Sequence, residues 1–227
     1  MSTIGASVQG SLGIGLAMVA GPALISIDAG FAPGPFLVAG QMISLRHVVA
    51  ERHHIDRAIY RRCLYGLPFG LGGGLAILIT VDEDTLAIII GTITAVAALS
   101  LLAGARIHRR ARTDVAAGAA TSLASVTAGL PGPAMAIAFS DMEPATMRGT
   151  TSAFVMTQAL IGFVAIVATD NFGTDELELT GWLIPGVLLG LFAARYVRNY
   201  VDRSWFRPAV LTMALVGGVA LVIRHLI

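Results

Sequence analysis

The stretch AGLPGPAMA, Ala128–Ala136, stands inside a long apolar run. A helix built to cross lipid has no use for Gly-Leu-Pro-Gly-Pro at its centre. Proline has no N–H and clashes with the preceding turn, so proline and glycine end one half-helix and start the next. The chain is expected to interrupt one helix near Gly129 and Pro131 and to open another at Gly132–Pro133, because proline fits a first helical turn. A second Gly-Pro, Gly21–Pro22, lies in the first apolar run, after Gly13-Ile14-Gly15.

The rest of the chain is made for lipid. It has 227 residues, 56% hydrophobic and 13% charged, with a mean hydropathy of +0.79. So few charges cannot cover a soluble surface, and the apolar runs approach the ~20 residues that cross a bilayer core. The formal net charge of +1 gives no footprint for nucleic acid. The first basic residue is Arg46, so no charged leader precedes the first apolar run and no secretory signal peptide is expected. Cys63 is the one cysteine, which excludes an intrachain disulfide and a thiolate zinc site. No metal and no cofactor are expected.

Eight apolar segments are legible. A1 covers about 4–27, A2 35–49, A3 63–79 and A4 85–105; B1 covers about 115–139, B2 149–168, B3 181–197 and B4 208–223. The two sets resemble each other in order. GPALISI (Gly21–Ile27) matches GPAMAIA (Gly132–Ala138), FLVAGQ ends at Gln41 as FVMTQ ends at Gln158, and LPFGLGGGLA (Leu67–Ala76) echoes IPGVLLGLFA (Ile184–Ala193). An internal duplication follows. Residues 1–105 form a first transmembrane repeat, 106–114 a basic cytoplasmic linker and 115–227 a second repeat.

Arginines mark the cytoplasmic side of a membrane protein, and all fifteen Lys/Arg positions here are arginine. If all eight segments span, the arginines divide ten to five between the faces. If A1 and B1 each dip in and return, fourteen fall on one side and only Arg224 on the other. Each repeat then holds one hairpin and three crossings, and an odd number of crossings inverts the second repeat. B1 has room for two arms of roughly ten residues, each half of a ~30 Å core. A kinked helix that spans fully is the other reading of A1 and B1. The fold class is thus an all-α polytopic membrane protein of two internal repeats, inverted in the hairpin topology, each a broken or re-entrant first segment followed by three transmembrane helices.

Paired broken helices in inverted repeats point to a secondary transporter with its solute held deep between the repeats. Half-helix N-termini attract anions through free N–H groups and the helix dipole. Pro22 and Pro133 cannot donate, so Ala23, Leu24, Ala134 and Met135 are the expected donors. No arginine lies deep in an apolar segment, which leaves neutral side chains to complete the site: Gln41, Gln158, Thr127 and Thr151, with Ser11, Ser125, Ser152 and Thr157 near them. The bland reading of such groups is helix-to-helix hydrogen bonding.

Other clusters carry less. Asp28 and Asp141 close the two broken segments and read as interfacial caps or proton carriers. His47, His53, His54 and Asp56 read as a solvated loop. Gly66, Gly70 and Gly74, like Gly186 and Gly190, read as close helix packing. Tyr196, Tyr200, Trp205 and Phe206 read as an interfacial belt. No acid–base pair or nucleophile triad falls at one depth, so no enzyme is expected.

GSLGIGLAMVAGPAL (Gly10–Leu24), AGLPGPAMAIAF (Ala128–Phe139) and RGTTSAFVMTQALIG (Arg148–Gly162) resemble the sulfite exporter TauE/SafE family, also called the toluene-sulfonate uptake permease family. The resemblance spans nearly the whole chain. The first motif departs from the family pattern, since Leu16 and Ala17 follow Gly15 where further glycines are usual. The resemblance implies ion-gradient-driven transport of a small anion such as sulfite or an organosulfonate across a bacterial inner membrane. The broken segments and the neutral polar side chains beside them give as expected substrate-binding residues Gly13, Gly15, Gly21, Pro22, Ala23, Gln41, Thr127, Gly129, Pro131, Gly132, Pro133, Ala134, Thr151 and Gln158. The expected partners are the anion, the bilayer and a further copy of the chain. A passive anion channel and an accessory membrane subunit are the alternatives.

Overall fold

The computed structural model describes residues 3, 6, 20–25, 27–104, 110–168, 173–201 and 206–226. Among the described residues there are nine α-helices and no strand. In chain order they are α1 (Gly21–Ile25), α2 (Gly34–Ala50), α3 (Arg57–Thr80), α4 (Glu83–Leu102), α5 (Ala111–Ala128), α6 (Gly132–Ala138), α7 (Pro144–Ala168), α8 (Thr174–Val201) and α9 (Phe206–Leu226). Five of them, α3, α4, α7, α8 and α9, are long and apolar enough to cross a membrane. With 17 residues, α2 is at the short end for a span. Phe69 is 77% and Trp182 73% exposed, an outer surface suited to hydrocarbon rather than water.

The helices run past the apolar segments into polar sequence. α3 begins at Arg57, before the apolar part at Cys63, because Asp56 Oδ1 accepts from the N–H groups of Ala58 (2.9 Å) and Ile59 (3.1 Å). α4 follows Asp82, whose carboxylate accepts from Thr85 N–H (3.2 Å) and the Thr85 hydroxyl (2.8 Å). Hydropathy marks the part of a helix that lies in lipid; caps mark where the helix starts.

Glu143 starts α7. The N–H of Thr146, its hydroxyl and the N–H of Ala145 all donate to the carboxylate, and in that order they hold its pKa below the usual 4.5. A lowered folded pKa means the charged cap stabilises at pH above the unfolded value and is lost as pH falls through the folded one. Exchange of the Thr146 and Met147 amides, corrected for intrinsic rate, is therefore expected to accelerate on acidification below about 4.5. In Glu143→Gln that acceleration should be absent; if it persists there, the cap is not the cause.

Contacts at the two ends give the seven longer helices a direction. At one end Arg148 pairs with Glu51 (2.9 Å), Arg62 with the buried Asp114 (3.0 Å), and Asp56 N–H donates to Thr150 Oγ1 (2.9 Å). The end of α2 and the starts of α3, α5 and α7 thus gather at this basic end. At the other, acidic end, the start of α4 meets the end of α9 through Asp84 and His225 (2.8 Å). α8 begins there too, with Leu179 against Gly30, and reaches the basic end, where Arg46 donates to the carbonyl of Leu191 (3.5 Å). α7, α8 and α9 accordingly run opposite to α2, α3 and α4 respectively.

Close approach welds α3 to α5. A Cβ on Gly66 would collide with the Val115 carbonyl, one on Gly70 with the Ala119 carbonyl, and one on Gly118 with the Cys63 carbonyl. The two helices run side by side from the basic end with backbones touching, the small-residue packing that membrane helices use in place of a hydrophobic driving force. α4 and α9 meet in the same way at Gly91 and Gly218.

Candidate functional site

The helix stops where proline and glycine say it must. α5 ends at Gly129, with φ of 65° in the left-handed region. Its N–H donates to Ser125 O (2.9 Å) and that of Leu130 to Ala124 O (3.1 Å), which satisfies two of the last carbonyls of α5. α6 opens three residues on, at Gly132, with Pro131 before it and Pro133 in its first turn.

α6 then turns back. Met135, Ala138 and Phe139 pack with Ile59 and Cys63 near the start of α3 and with Ala117 of α5. Residues 111–138 therefore leave the bundle at the basic end where they began. From Ala117 to Ala128 the arm rises eleven residues, roughly 16 Å, about half of a bilayer core. The first Gly-Pro gives α1, with Gly21 and Ile25 buried; Ile27 and Asp28 beyond it are exposed. Gly13, Gly15 and Ser11 lie outside the described residues.

The tip carries an electrostatic asymmetry. The carbonyls of Ala124 and Ser125 in α5 accept from Leu130 and Gly129, whereas α6 has no side-chain cap. The first-turn N–H groups of a helix have no carbonyl within it, so Gly132 and Ala134 present donors there while Pro133 presents none. The positive end of α6 is thus left without a side-chain partner.

The two glutamines occupy different surroundings. Gln158 is 0% exposed and lies across from α5, with Nε2 donating to Ser125 Oγ (2.8 Å). Gln41 Nε2 donates to Met156 O (3.2 Å). Its side chain faces a groove of about 330 Å3 between α2 and α7, walled by Leu37, Met42, Leu160 and Phe163. Both Oε1 atoms are buried without a hydrogen-bond partner. A hydroxyl both donates and accepts, so the Gln158 amide can turn over against Ser125 and present its NH2 instead. The partner of Gln41 is a carbonyl, which only accepts and keeps that amide as it is.

Of the other expected residues, Thr127 is buried, but its hydroxyl donates to Leu123 O (2.9 Å) within its own helix. Thr151 is 7% exposed, and its Oγ1 has no partner. Gly132 and Pro133 are buried; Ala23, Pro131 and Ala134 are half-buried, and Pro22 lies in the first turn of α1. Phe36, absent from the sequence-based set, stands against both breaks. A Cβ on Gly129 would lie 2.6 Å from Phe36 Cβ, and one on Gly21 would lie 3.8 Å from Phe36 Cε2. Thr121 was also missed; it is fully buried one turn before Ser125, and its hydroxyl has no partner. Serine and threonine are too common in membrane helices for sequence to have singled it out.

No curated protein and no solved structure matches the chain. A family model described as Sulfite exporter TauE/SafE matches residues 1–221. An all-helical membrane bundle, a helix broken at Gly-Leu-Pro-Gly-Pro deep inside it, and a family match over almost the full length agree: the chain belongs to the sulfite exporter TauE/SafE family of membrane transporters.

Proposed function

We propose that this chain is a secondary transporter that exports a small anion, sulfite or an organosulfonate, across a bacterial inner membrane. The uncapped start of α6 at the tip of the 111–138 hairpin carries this reading. Gly132 and Ala134 N–H groups and the Gln158 amide, turned over on Ser125, offer neutral donors to an oxyanion where no arginine is needed. Gly21, Pro22 and Ala23 supply the corresponding half-helix in the first repeat. Thr151 lies on the same face of α7 as Gln158, two turns toward the basic end, and Gln41 lines the lateral groove.

The opposite directions of α7, α8 and α9 relative to α2, α3 and α4 support two inverted repeats, 1–105 and 115–227, joined by a basic linker. The gathering of arginines at one end supports a cytoplasmic face there and a re-entrant 111–138 segment. Alternating access then comes from one repeat rocking on the other. Replacing Gln158 by Ala removes a hydrogen bond to a charged solute, worth about 1.5–3 kcal/mol, and is expected to lower sulfite efflux from proteoliposomes by about tenfold or more. Unchanged kinetics would remove Gln158 from the site.

A further inference from the structure

Two breaks from opposite halves of the chain meet one aromatic ring. Phe36 is 2% exposed and among the largest fully buried side chains. Its neighbours at the breaks are Gly21 and Gly129, which have no side chains of their own, so the ring fills the gap between them. Ile25, Ala128, Leu130 and Ala136, from both broken segments, belong to the same buried cluster. Ser125, which holds Gln158, is one helical turn before Gly129. Phe36 thus stands between the polar pair and the first Gly-Pro. It sits in the first turn of α2, just after the short turn at 29–33 and Gly34-Pro35.

We propose that Phe36 is a plug: its ring closes the space between the two broken segments and sets the size of the anion that passes. This rests on the transport reading above. An unbranched apolar ring suits that task. It offers no hydrogen bond that would hold an anion, it excludes water while in place, and it can leave by rotating two side-chain torsions. Removing it leaves a cavity bordered by two glycine backbones, which have no side chains to collapse into it.

The test uses the full-length chain in proteoliposomes, with Phe36→Ala and the milder Phe36→Leu beside the wild-type residue. Cys63→Ser is the background, so that Ala128→Cys supplies the sole thiol. The initial flux of benzenesulfonate relative to sulfite is expected to rise about tenfold in Phe36→Ala. Labelling of the thiol by a membrane-impermeant methanethiosulfonate is expected to accelerate by a similar factor. If Phe36→Ala is not monodisperse, Phe36→Leu is read in its place. Labelling within twofold of the Phe36 protein overturns the plug, whatever the fluxes do. Faster labelling with no flux of either anion in the Phe36 protein keeps the plug and removes the transported anion instead. Faster labelling with an unchanged flux ratio overturns the size-selecting role.

Discussion

Gly129→Ala is expected to lower the melting temperature of the purified chain and to abolish sulfite flux. Two penalties coincide at this position. The residue holds φ of 65°, where an L side chain costs about 1–2 kcal/mol. The added methyl would also lie 2.6 Å from Phe36 Cβ and 3.2 Å from Phe36 Cδ2. Phe36 Cβ is fixed to the α2 backbone and cannot rotate away, so the overpacking adds about 1–3 kcal/mol. The sum, roughly 2–5 kcal/mol, falls on the tip that the proposed anion site needs intact. Gly104 separates the two terms. It has φ of 68° but nothing within 4 Å of its Cβ position, so Gly104→Ala should show the backbone cost alone. Equal melting temperatures for the two variants would mean that Phe36 does not press on the tip.

Gly118→Ala should prevent assembly of a monodisperse protein. The methyl would meet the carbonyl oxygen, carbonyl carbon and Cα of Cys63, all of them backbone, so no side chain can yield. α3 and α5 would have to separate along the whole seam that Gly66 and Gly70 also form. Overpacking of about 3 kcal/mol or more is expected where backbone must move, and the close contacts along the seam are what hold membrane helices together. Size-exclusion profiles in detergent check this, with Gly72→Ala as the control, since nothing lies within 4 Å of its Cβ position. A profile for Gly118→Ala as sharp as that of Gly72→Ala would show that the seam tolerates separation.

The break after Ala128, the helices on either side of it and the burial of Gly66, Gly70 and Gly74 in a close seam were legible in the sequence. Each follows from a residue that acts on its own backbone or lacks a side chain. The expectation that Arg46, Arg62 and Arg148 share one side agrees with their contacts at the basic end. Helix starts were legible only in part. The apolar stretch at Cys63 begins later than α3 does, because Asp56 caps the helix in a polar segment that hydropathy passes over.

What the tertiary structure alone decided is direction and facing. Glycine and proline can end a helix, yet they do not say whether the next one goes on or comes back. Packing of Met135 and Phe139 on the start of α3 returns α6 to the basic end. Nor could duplication place the glutamines, since Gln158 meets Ser125 of α5 while Gln41 faces the α2–α7 groove. The physical reason is common to all of these. A helix that is apolar nearly all round carries no periodic mark of which face will be covered, so partner and rotation are chosen by shape when the helices pack. Phe36 shows the limit most plainly. In sequence it is one of nine phenylalanines, and only the fold sets it between Gly21 and Gly129.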